Sequence, residues 1–262
     1  MSDSGRDSLP KAAGFRSGDC GTHTSRTMMW AEISRLLETL PPTAAKTDYW
    51  SAVIQDNLLD KKTASTRRLT AQRLTELYAL DLSVPVFRLL RHFWSLDREG
   101  RPLLAFLCAS ARDPLLRLTA KFVLETPEGS PVPTESLDKL FAEAVPGRFN
   151  ASIRGKVARN SASSWAQSGH LKGRLKKMRT QPVVTPANTA YALALGYLAG
   201  ARGVLLLHGF WVSLLASPYD RIAQMAHEAS RRGWLTYRAV GKIVEVRFPE
   251  SLILSAEGHA GG

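Results

Sequence analysis

The chain of 262 residues has only two cysteines, Cys20 and Cys108, far apart and without CxxC or histidine spacing. That pattern argues against a disulfide framework and a zinc site, and points to a reducing compartment, the cytoplasm. Catalytic signatures are missing too. Ser213 and the other serines sit in no GxSxG elbow, no GxxxxGK[ST] phosphate loop is present, and His170 and His208 lack metal-ligand spacing. No catalytic residue, metal or cofactor is therefore assigned. The longest absence is of acid: between Ala144 and Tyr219 there is no Asp or Glu, while the same span holds ten Lys or Arg. A metal-dependent nuclease or phosphotransferase needs hard carboxylate ligands, and this region offers none.

Long apolar runs are scarce as well. The one candidate, 191–217 (YALALGYLAGARGVLLLHGFWVSLLAS), is interrupted by Arg202 and His208 and punctuated by Gly196, Gly200, Gly203 and Gly209. A single span needs ~20 predominantly apolar residues, so short buried helices are expected there and no membrane segment. Residues 1–27 are small and polar with no apolar stretch, which excludes a signal peptide and predicts a disordered leader. Met28 or Met29, just before the first periodic segment, is a candidate translation start beside Met1.

What is present is mostly helical periodicity. The pattern predicts helices over 30–40, 48–62 (opened by Asp48), 63–80 (capped by Thr63 or Ser65), 84–97, 101–113 and 113–126, with almost no strand signal before residue 130. The Pro-rich PEGSPVP at 127–133 is the expected linker. The domains expected are thus a helical bundle at 28–130 and a second unit at 131–254, with a frayed tail at 255–262. The second unit begins with a helix from Thr134, then a helix opened by Asn150 or Ser152 and stopped at Gly169, then a Gly-interrupted basic hairpin over 170–186. Helix, helix, wing is the order of a winged helix-turn-helix. A helix at 218–233 followed by a hairpin at 234–249, turning at Gly241, repeats the pattern. The fold class expected is mainly α, with winged-helix-like elements and short β-hairpins.

Charge is concentrated in one place. The carboxylate-free span holds ten cations, whereas the rest of the chain carries 25 basic and 23 acidic groups. Clustered cations without acids release counterions from a phosphate backbone. On the 150–168 helix, Ile153, Val157, Ala158, Ser161 and Trp165 share the side expected to pack. Lys156, Arg159, Asn160, Ser163 and Gln167 share the other, and such polar types suit base edges or phosphates. Lys172, Arg174, Lys176, Lys177 and Arg179 on the hairpin would track the flanking backbone. A second cluster, Lys61, Lys62, Arg67 and Arg68, lies at the positive end of the 63–80 helix, where a bound anion would offset the unfavourable placement. The alternatives are a basic scaffold that meets an acidic protein partner, an RNA binder, a membrane-associated protein, or a plain solvated surface.

Four runs, NLLDKKTASTRRLTAQRL (57–74), IRGKVARNSASSWAQSGHLKG (153–173), TAYALALGYLAG (189–200) and GWLTYRAVGKIVEVRFP (233–249), resemble in this order the BrxA family of bacterial BREX phage-defence systems. The resemblance covers about residues 30–250, and the leader departs from it. It implies a non-enzymatic protein that binds double-stranded DNA, with an N-terminal helical bundle similar to NusB and winged-helix-like elements. It also implies an accessory role beside other BREX components. The basic positions it carries over are Arg67 and Arg68, and Arg154, Lys156 and Arg159.

Overall fold

A computed structural model describes residues 9–241 and 243–253. Among these residues the chain is mainly helical with two small antiparallel hairpins. Helices α1 (Trp30–Thr39), α2 (Lys46–Ile54), α3 (Ala64–Tyr78), α4 (Pro85–Leu96), α5 (Arg101–Arg112), α6 (Pro114–Leu118) and α7 (Ala120–Glu125) form the first part. Next come α8 (Thr134–Ala144), α9 (Ala151–Gln167), β1 (Leu171–Lys172) and β2 (Met178–Arg179). The remainder is α10 (Pro186–Leu198), α11 (Val204–Leu207), α12 (Phe210–Ser213), α13 (Tyr219–Arg231), β3 (Thr236–Val240), β4 (Ile243–Arg247) and α14 (Glu250–Ile253).

Helix ends follow local chemistry. The Thr63 hydroxyl accepts from the Thr66 N–H, and Asn150 accepts from the Ile153 N–H, so α3 and α9 start at side-chain caps. Asp48 does not open α2. It lies at the third helical position and accepts the Ala45 N–H at 2.8 Å. The same helix stops at Ile54, short of the expected 62, because Asn57 and Asp60 take positive φ (50° and 52°), which a helix cannot continue through. The helix expected over 113–126 is divided into α6 and α7 at Thr119. Its hydroxyl donates to the Leu116 carbonyl and accepts the Trp165 Nε1–H, both at 2.7 Å.

Two helices are buried nearly all round: α5 over Leu103–Ala111 and α10 over Ala187–Gly196. A helix apolar on every side belongs inside a core, and α10 packs on α4, α5, α12 and α13. The segment 191–217 is thus resolved into parts of three short helices, and no helix among the described residues is long and apolar enough to cross a membrane.

Packing crosses the expected boundary at 130/131. Phe106 meets Trp165 with ring centroids 4.5 Å apart, Phe93 meets Tyr191 at 6.2 Å, and the Tyr191 hydroxyl donates to the Val86 carbonyl at 2.8 Å. Each such buried ring contributes ~1.5–3 kcal/mol, and one contiguous core runs from Ala13 to Val246. The PEGSPVP run is not a free linker. The Gly129 N–H donates to the Arg179 carbonyl, the Arg179 N–H to the Ser130 carbonyl, and the Val132 N–H to the Lys177 carbonyl, so the segment lies along β2.

The leader expected to be disordered is, from Leu9 onward, an arm fixed to the core. Phe15 and His23 are buried, and Phe15 packs on Trp211 with centroids 5.2 Å apart. Residues 1–8 and the tail expected to fray at 255–262 lie outside the described residues.

Candidate nucleic-acid interface

The order helix, helix, hairpin is present as α8, α9 and β1–β2, with α8 packed against α9. Lys156 and Arg159 are exposed on one face of α9, and half-buried Ser163 lies on the same face. Beyond the helix, Lys172, Arg174 and Lys176 are exposed, and Lys177 is half-buried with its Nζ 3.5 Å from the Gly173 carbonyl. Among the described residues none of Lys156, Arg159, Lys172, Arg174 or Lys176 has an ion-pair partner.

Six of the fifteen expected contact residues are instead used internally, four of them around α9 and the hairpin. Arg179 is buried and donates to the Val123 carbonyl (3.1 Å) and the His170 carbonyl (3.2 Å) and also to that of Thr180. Burial pushes its pKa down, with Glu128 opposing. Its register explains the inversion: it pairs with Leu171, which faces the core, so parity turns Arg179 inward. Arg154 turns to α8, where Nε and Nη2 both reach Asp138 Oδ2 at 3.0 Å. Asn160 donates to the His23 carbonyl at 2.8 Å and Gln167 to the Thr27 hydroxyl at 3.3 Å, because the N-terminal arm lies over this strip of α9. Ile153, expected to pack, is 40% exposed at the first turn.

The second cluster is similarly reduced. Lys61 pairs with Glu32 at 2.9 Å, and Arg67 Nη1 donates to the Ile54 carbonyl at 2.9 Å. Only Lys62 and Arg68 remain exposed there. Because Thr63 caps α3 and Arg67 folds inward, the four cations do not converge on one anion site.

A second set of polar residues gives no distance signal in the sequence. His23 Nδ1 lies 2.7 Å from Asp113 Oδ2, and His23 Nε2 lies 2.8 Å from the Ser164 hydroxyl. Hydroxyl, imidazole and carboxylate stand in the order of a hydrolase triad. All three are fully buried, and the Ser164 oxygen is shared with the Met28 N–H at 2.8 Å and the Asn160 carbonyl at 3.0 Å. The arrangement therefore clamps the arm; no reactant reaches it in this conformation. Asp113 also accepts the N–H groups of His23, Leu115 and Leu116. Burial pushes its carboxyl up, but the His23 ring and these donors outweigh that and hold it below the usual carboxylate range. Gly21 permits the approach, since a Cβ there would lie 2.0 Å from Asp113 Oδ1. The clamp's signals in the sequence are Asp113 before Pro114, a helix cap, and a lone histidine in a polar leader.

His170 fixes the hairpin base. Nε2–H donates to the Leu214 carbonyl at 2.8 Å, which leaves Nδ1 to accept from the Ser168 hydroxyl at 2.7 Å. Burial pushes the imidazole pKa down to about 3, and the Arg179 guanidinium adds to this against the favourable Leu214 carbonyl. Among the described residues no group of three or more His, Cys, Asp or Glu is placed to hold a metal ion. Compared with known protein families and with curated proteins, the chain matches none.

Proposed function

We propose that the chain binds double-stranded DNA in the cytoplasm without chemistry of its own, as an accessory protein of a bacterial BREX anti-phage system. The observation that carries the duplex reading is the exposed set Lys156, Arg159, Lys172, Arg174 and Lys176, unpaired among the described residues, within a span that has no carboxylate. Exposed cations with no internal partner are free to meet phosphates, and α8, α9 and the basic hairpin follow one another as in a winged helix. The defence role and the NusB-like character of α1–α7 rest on the resemblance of the four sequence runs to the BrxA family. That role predicts neighbouring genes for a methyltransferase, a large ATPase and a phosphatase-like protein, and association with their products.

Anisotropy titration of a labelled duplex against salt tests the binding. About five neutralised phosphates give a log K against log salt slope of roughly −4 to −5. Lys176→Glu with Lys177→Glu should weaken binding to all sequences alike. A flat plot, or no binding at low salt, refutes the reading, as does tighter binding to RNA or to an acidic partner protein than to duplex DNA.

A further inference from the structure

The tip of the β1–β2 hairpin presents an apolar side chain to solvent. Leu175 is 99% exposed, between the exposed cations Arg174 and Lys176. Leucine serves no purpose of the turn itself, which favours Gly, Asn, Asp or Ser. The turn is made by Gly173, whose φ is +102° and whose Cβ, if present, would lie 2.2 Å from the Lys176 carbonyl oxygen. Below the tip, the hairpin is braced by buried Arg179 and His170 and by the 129–132 segment along β2. The result is a braced, cationic projection that ends in one apolar group.

We infer that Leu175 is a wedge that enters a base step of duplex DNA from the minor groove and kinks it, while Arg174 and Lys176 hold the phosphates on either side. This rests on the duplex-binding reading above. Apolar side chains inserted between base pairs unstack the step and bend the helix, and cations beside the wedge supply the affinity. A narrow hairpin tip suits the minor groove, about 6 Å wide, better than a helix does. The local charge chooses the partner: with Arg174 and Lys176 exposed and without ion-pair partners among the described residues, the tip complements a polyanion that also offers stacked apolar faces. A lone leucine gives a lipid surface little to hold, since stable anchoring takes more apolar area.

The test uses the full chain and a duplex of about 30 bp labelled at both ends, with a central TA step or with G·C pairs throughout, because TA steps unstack readily. Wild type should shorten the end-to-end distance, more for the TA duplex. Leu175→Ala should lose at least about half of that change while the salt slope stays the same; Leu175→Met should keep it, because an unbranched apolar side chain can still insert. Since Leu175 is outside the core, these variants leave the fold intact. Bending by Leu175→Ala equal to wild type overturns the wedge, as does wild-type binding without shortening, and either result leaves duplex binding standing. Absence of wild-type binding at low salt overturns both.

Discussion

Lowering the pH should destabilise the protein through His170, and the amount follows from its surroundings. In the unfolded chain an imidazole gains its proton below about pH 6.5. In the folded protein His170 remains neutral down to about 3 because it is fully buried beside Arg179. Between those values the unfolded state holds the extra proton. The contribution is therefore full above about pH 6.5 and falls as the pH drops, by ~1.4 kcal/mol per unit once well below that value. At about pH 5 the loss is roughly 2 kcal/mol, against total stabilities on the order of 5–15 kcal/mol for a folded chain. His170→Gln keeps a donor for the Leu214 carbonyl but has no proton to gain. Urea unfolding of both proteins at about pH 8 and pH 5 measures the term as the difference between their losses, so that groups common to both, such as half-buried His92, cancel. Equal pH dependence in wild type and variant, to within about 0.5 kcal/mol, would refute the argument. Because Arg179 donates to the His170 carbonyl, the weakening should appear first as faster amide exchange at β1 and β2.

Two further outcomes are expected. His23→Ala removes the partner of a buried carboxylate, so it should cost about 3–5 kcal/mol in urea unfolding; a cost under about 1 kcal/mol would mean that the arm is not clamped there. Gly173→Ala forces a side chain into a left-handed turn at a cost on the order of 1–3 kcal/mol. It should lower duplex affinity several-fold while circular dichroism shows unchanged helix content, and undiminished affinity would count against a preorganised tip.

Local signals in the sequence were good guides to local structure. Of the paired cap candidates Thr63 or Ser65 and Asn150 or Ser152, the first of each caps its helix, and the second hairpin turns at Gly241 with Val244 and Val246 buried and Ile243 exposed. Charge density was a poorer guide, because composition registers a cation but not its direction. Arg179 belongs to the same basic run as Lys176, yet strand parity sends it inward. Asn160 looks like a reader of bases on a helical wheel, but the wheel contains no information about an arm arriving from residues 20–28. The polar leader misled for a related reason: Phe15 and His23 are isolated apolar and titratable residues in a polar context, and only long-range partners give them a place.

The clamp on that arm has a consequence for synthesis on the ribosome. His23 is bonded to Asp113, 90 residues later, and to Ser164, 141 residues later. At about 5–20 residues per second, His23 waits roughly 7–28 s after its own synthesis for Ser164. During that interval Phe15 has no Trp211 to cover it. The arm is thus made well before the partners that secure it, and a bulky fusion placed immediately before Leu9 would act on a late step of folding.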